Sequence, residues 1–209
     1  MLQQLLQPWL NTRQQSASRL LQILGTWWAR LLNVISGLLS GAGAPAATTS
    51  YESIATVSVG SGGSSSISFT SIPSTFKHLQ IRATEGYVTA SFNPKITLNS
   101  DTGSNYSWHY LLGNGSAASA SGASSQAFMY LNSNTAFPTP TVHVVDILDY
   151  QNTNKNKTMR ALDGFDANGS GYAVLWSGAW YNTAAVSTIT IANGTFAQYS
   201  SFALYGIKG

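Results

Sequence analysis

Two hydrophobic periods divide this chain. From residue 17 to 39, ASRLLQILGTWWARLLNVISGLL, apolar positions recur every three or four residues, the spacing of one helix face. At about 100° per residue, Ala17, Leu20, Leu21, Ile23, Leu24, Trp27, Trp28, Leu31, Leu32, Val34, Ile35, Leu38 and Leu39 fill one half of the wheel. Ser18, Arg19, Gln22, Gly25, Thr26, Ala29, Arg30, Asn33, Ser36 and Gly37 fill the other. The pattern predicts a strongly amphipathic helix. Leu2, Leu5, Leu6, Trp9 and Leu10 keep the same phase. Pro8 cannot sit inside an unkinked helix and fits best at the first helical position, so the main helix is expected from about residue 8 to 39. Gly37, Gly41, Gly43 and Pro45 end it, and residues 41–50, GAGAPAATTS, read as a small, uncharged linker.

From Tyr51 the period shortens to two. ESIATVSV, SISFTSI, HLQIRA, YVTASF, KITLNS, SWHYLLG, AFMYLN, VHVVDIL, TMRALDGF, YAVLWSGAWY, STITIAN and SFALYGIK are short β runs. Clusters of Asn, Gly and Ser separate them, among them DTGSNY, GNGSAASASGASS, NSNTAFPTP, YQNTNKNK and DANGSG. Roughly ten to twelve strands with no long amphipathic helix between them predict an antiparallel β-sandwich, jelly-roll-like in strand number. The expected organisation is an anchoring or oligomerisation helix over residues 1–40, a linker over 41–50 and a β-sandwich head over 51–209.

The apolar helix face needs a cover. A membrane span is disfavoured by Gln22, Arg30 and Asn33 inside the window, since an arginine near the bilayer centre costs at least about 2.5–3.5 kcal/mol. A helix lying in the membrane plane, with basic residues opposite tryptophans, fits the chemistry better. Packing against the chain's own β-domain is a third arrangement, though it leaves the linker without a purpose. Burial against other protein fits best. Leu6, Leu10, Arg13, Ala17, Leu20, Leu24, Trp27, Leu31, Val34 and Leu38 alternate threes and fours as a heptad seam. Leu21, Trp28, Leu32, Ile35 and Leu39 double its width, which suits three or more helices or a socket in a larger protein. The anchoring set is therefore Leu20, Leu24, Trp27, Trp28, Leu31, Leu32, Ile35 and Leu38.

Composition narrows the chemistry. Only 8% of the 209 residues are charged, against about 25% in ordinary domains. Absence of cysteine excludes disulfides, thiolate metal sites and cysteine nucleophiles. Arg13, Arg19 and Arg30 carry the whole net charge of +3, because the rest of the chain balances seven basic against seven acidic residues. That gives no basic cluster for nucleic acid.

No catalytic constellation stands out. His78, His109 and His143 read as structural or surface histidines, and no G-x-S-x-G elbow occurs. Asp101, Asp146, Asp149, Asp163 and Asp166 lie in or beside turn signals and read as turn residues before paired carboxylates. DGFDANGSG and NSDTGSNY lack the full pattern of a calcium loop. The expectation is a protein that is not an enzyme and has neither metal nor cofactor. Aromatic residues are more informative. Tyr106, Trp108 and Tyr110 share one strand face, and Trp176 and Trp180 another, with Tyr181 opposite. Such rings mostly fill cores. Trp108, Tyr110, Trp180 and Tyr181 are the candidates for stacking on a sugar.

SIPSTFKHLQIRA (71–83), ITLNSDTGSNYSWHYLLGNG (96–115), VVDILDYQNTNKNKT (144–158) and STITIANGTFAQYSSFALYGIKG (187–209) resemble β-domains of virion structural and tail-fibre proteins of tailed bacteriophages, especially those of cyanobacteria. The likeness covers most of residues 51–209 and leaves out the helix. It implies a non-enzymatic, trimeric virion component. The expected function is a tail fibre anchored through its helices to tail, baseplate or portal-proximal proteins. Its β-heads would face the host surface and its glycans. A capsid decoration or cement protein is the alternative.

Overall fold

The structure, a computed structural model, describes residues 19, 21, 22, 24–28, 30, 50–88, 92–133 and 135–209. The chain divides into two units, Met1–Thr49 and Ser50–Gly209. In the first unit every described residue is helical, in line with the apolar period there. The long helix expected from 8 to 39 is not itself seen, and Leu20, Leu31, Leu32, Ile35, Leu38 and linker residues 41–49 lie outside the described residues. Leu24, Trp27 and Trp28 are 53%, 71% and 62% exposed. Among the described residues no helix is long and apolar enough to cross a membrane.

The second unit is mainly β. Its strands are β1 (Tyr51–Ser58), β2 (Ser64–Phe69), β3 (His78–Glu85), β4 (Lys95–Leu98), β5 (Tyr106–Gly113), β6 (Ala118–Gln126), β7 (Met129–Tyr130), β8 (Thr141–Leu148), β9 (Lys157–Asp166), β10 (Gly171–Trp180), β11 (Ile189–Phe196) and β12 (Ser201–Ile207). They form two antiparallel sheets. The wide one runs β1-β12-β3-β8-β9-β10-β5-β6 and the narrow one β2-β11-β4-β7.

Period-two alternation builds both sheets. In β8, Thr141, His143, Val145 and Ile147 are buried while Val142, Val144 and Leu148 are exposed. In β12, Phe202, Leu204 and Gly206 are buried between half-buried neighbours. One core cluster draws on both sheets: Ile67, Phe69, Ile96, Leu98, Ile189 and Ile191 from the narrow one, and Leu79, Ile81, Val145, Ile147, Met159, Phe202 and Leu204 from the wide one. Burial of each large side chain stabilises by roughly 1.5–3 kcal/mol.

Three local expectations change. The serine-rich segment read as a loop contains β6, which pairs with β5 from Gly113↔Ala118 to Tyr106↔Gln126. YVTASF is not a strand where it is described: Tyr87 makes only an isolated bridge to Phe196, and residues 89–91 lie outside the described residues. AFMYLN supplies only the two residues of β7. This short strand is the edge of the narrow sheet, and it sets the position of the site described next.

Candidate functional site

The wide sheet has twice as many strands as the narrow one. Near β7 its inner face, on β10 and β5, carries aromatic rings. Alternation along β5 turns Trp108, Tyr110 and Leu112 to the same side as Val174 and Trp176 of β10, with Tyr110 opposite Trp176 and Leu112 opposite Val174. Ring centroids lie 5.6 Å apart for Trp108–Trp176, 5.0 Å for Tyr110–Trp176 and 6.2 Å for Trp108–Tyr110. Tyr130 of β7 meets Trp108 edge-on at 5.6 Å. Gly178 makes this approach possible. A β-carbon there would fall 1.8 Å from Met129 Sδ, so the thioether occupies the space a side chain would need.

These rings, with Leu112, Val174, Asn93 and Asn132, line a cleft of 290 Å³. The Asn93 Oδ1 accepts the Ser133 N–H at 3.3 Å, which leaves the amide nitrogen out of that bond. The buried indole N–H groups of Trp108 and Trp176 have no hydrogen-bond partner. A donor left unmet in a buried position costs about 1–3 kcal/mol, so these two indoles sit at a local cost to stability.

The four aromatic candidates separate. Trp108 and Tyr110 line the cleft. Trp180 does not: it is 1% exposed, stacks on Tyr106 at 6.3 Å and donates its indole N–H to Asp101 Oδ2 at 2.7 Å. Tyr181 is exposed, and its hydroxyl accepts from Ser107 Oγ at 3.2 Å. Sequence reasoning named neither Trp176 nor Tyr130 as a contact residue. The period-two phase of Trp176 with Trp180 was visible, but nothing local marks which of the two sits at the end of the opposing sheet.

Beside the cleft lies a buried ionic group. His143 Nδ1 donates to Asp163 Oδ1 at 2.9 Å and Nε2 donates to Glu85 Oε1 at 3.1 Å. Burial works against a charge on the ring. The Asp163 carboxylate, through its charge and its hydrogen bond, and then Glu85, outweigh it and push the pKa up to about 9. With both nitrogens donating to carboxylates, the imidazolium has no lone pair with which to act as a base. Asp163 Oδ2 also accepts the Asn132 N–H at 2.8 Å, so the ionic group fixes one wall of the cleft. Asp163, expected in or beside a turn, stands inside β9, paired with His143 of β8.

The other acidic residues behave variously. Asp101 caps its own turn through Gly103 N–H at 2.8 Å, as expected. Asp166 likewise accepts the Asn168 N–H at 2.8 Å. Asp149 closes the turn after β8, and the ammonium groups of Lys155 and Lys77 hold its carboxyl down at about 2. Asp146 is a strand residue bound by Gln80 Nε2 at 2.8 Å. Among the described residues no group of three His, Cys, Asp or Glu side chains could hold a metal ion.

No protein-family model, curated protein or solved structure matches the chain.

Proposed function

We propose that the protein is a non-enzymatic structural component of a phage virion. It is a trimeric tail fibre whose residues 1–40 form an anchoring helix and whose β-unit is a jelly-roll sandwich facing the host surface. The observation that carries this reading is the strand order. With the hairpins β5–β6 and β9–β10 set aside, the sheets run 1-12-3-8 and 2-11-4-7. Consecutive strands then alternate between sheets except at β4 and β7, which pair within the narrow one, as in the double Greek key of viral capsid and lectin domains. Further support comes from the resemblance over residues 51–209, from the scarcity of charge and from the exposed apolar residues of the described helical segment. The aromatic cleft is the part of the head suited to touching glycan.

Labelling Gly209 and imaging the particles tests this. Label at the tail in a handful to a few dozen copies is the expected result, and purified protein should compete with particles for adsorption to host cells. Absence from particles overturns the reading. The alternative, a capsid decoration protein, uses the same fold. It draws support from a row of exposed apolar residues on the outer face of the wide sheet, Val144, Leu162, Leu175 and Leu111 in register, which a shell would cover. Hundreds of copies over the capsid would select it.

A further inference from the structure

The aromatic cleft has a chemistry of its own that narrows what it can hold. Resting on the reading of the β-unit as a glycan-contacting head, we propose that the cleft lined by Trp108, Tyr110, Tyr130, Trp176, Asn93 and Asn132 binds a single neutral pyranose ring and discriminates against acidic sugars.

Size comes first. At 290 Å³ the cleft stands at the lower limit of small-molecule sites, which run from about 300 to 1,000 Å³. That is room for about one sugar ring. A proline-rich peptide also stacks on aromatic rings, but it needs an extended groove that follows a polyproline helix.

The lining comes second. Four aromatic rings and two aliphatic side chains make the walls, and the polar lining side chains are two carboxamides. A pyranose is the matching solute: its C–H faces stack on rings and its hydroxyl edge exchanges hydrogen bonds with amides, which both donate and accept. The indole N–H groups of Trp108 and Trp176 are packed away without partners, so the two carboxamides and the tyrosine hydroxyls carry the polar contacts to a sugar.

Charge comes third. No lining residue is ionised. Behind Asn132, whose N–H binds Asp163, the Glu85–His143–Asp163 group sets two carboxylates against one imidazolium. A sugar carboxylate would meet repulsion from that side. Lys95 offers no compensation within the lining: its ammonium lies 4.4 Å from the Phe128 ring centroid and 5.9 Å from that of Tyr130.

The test uses the full chain with methyl glycosides of neutral hexoses and N-acetylhexosamines. Sialic acid, glucuronic acid and a proline-rich peptide are run in parallel. Saturation-transfer NMR and tryptophan fluorescence are read, with the thermal melt recorded for every variant. At least one neutral glycoside should bind with a dissociation constant of about 1 mM. Tyr110→Ala should weaken it by about tenfold or more, and Asn93→Ala should also weaken it. Trp180→Phe and Tyr181→Phe, outside the cleft, should leave it unchanged. Trp108→Ala removes packing as well as a contact, so Tyr110→Ala is the deciding variant. Three results overturn the proposal: no saturable binding of any neutral glycoside by folded protein, tighter binding of an acidic sugar or of the peptide, or an unchanged constant in folded Tyr110→Ala. Failure here stays separate from failure of the virion reading. A protein found on particles that ignores sugars refutes the ligand class, and a sugar binder absent from particles refutes the location.

Discussion

His143 keeps a proton that the unfolded chain would lose at ordinary pH. Its folded pKa, raised from 6.5 to about 9, lies above the unfolded one, so the stabilisation is fully present below about 6.5 and disappears as pH rises to about 9. The full effect is on the order of 3 kcal/mol. Urea melts between pH 6.5 and 9.5 should show stability falling across that window. His143→Leu, by leaving two buried carboxylates without a cation, should cost about 3–5 kcal/mol at pH 7. A flat profile in the parent protein would refute this account. Gly178 makes a second residue-scale case. Its missing side chain is the space Met129 Sδ occupies, so Gly178→Ala should destabilise by about 1–3 kcal/mol through forced displacement of the thioether. In a Met129→Ala background, Gly178→Ala should add little further loss in the same melt, because the clashing thioether is gone. Neither residue advertised its role in the sequence. Asp163 lies in a run whose period predicts a strand, but nothing local marks its partner, because His143 is 20 residues away. Trp108 and Tyr110 were legible as a shared face, since alternation alone defines it.

Elements with an apolar period were legible from the sequence, and those without one were not. β3, β5, β8, β9, β10 and β12 each alternate large apolar residues with others. β6, ASASGASSQ, has no large apolar side chain on either face, so nothing in its pattern separates it from a flexible loop. Its strand character comes from pairing with β5 at the edge of the wide sheet. The loop YQNTNKNK was read correctly as a turn region, but not the device that holds it. Lys157, fully buried, donates to the carbonyls of Asn152 at 2.6 Å, Lys155 at 3.0 Å and Thr183 at 3.0 Å. One ammonium thereby ties the β8–β9 loop to the β10–β11 loop. Lys157→Met keeps the volume and removes every donor, leaving carbonyls to find water. The expected cost is about 2–4 kcal/mol, with amide hydrogen exchange at residues 152–155 and 183 accelerating ahead of the rest of the sheet. Uniform exchange in that variant would show the tie to be unimportant.

At the scale of the whole molecule, the number of strands was legible and their order was not. β12 closes the wide sheet between β1 and β3, a pairing between the two ends of the β-unit that no local motif encodes. The core of the β-unit is filled by residues of its own two sheets, and the apolar helical residues are not among them. Leu21, Leu24, Trp27 and Trp28 are all more than half exposed, and leaving each of them in water forgoes roughly 1.5–3 kcal/mol. On the proposed reading, association of copies through this segment would recover that energy, and the doubled heptad stripe of the sequence would suit three helices rather than two. The full chain should therefore sediment as a trimer. Leu24→Glu with Trp27→Glu should dissociate it to monomers while the thermal melt of the β-unit moves little, because the substituted side chains do not contribute to the core between the sheets. A parent protein that sediments as a soluble monomer would remove the reason for a shared anchor, and binding of that monomer to anionic vesicles would assign the apolar face to a membrane surface instead.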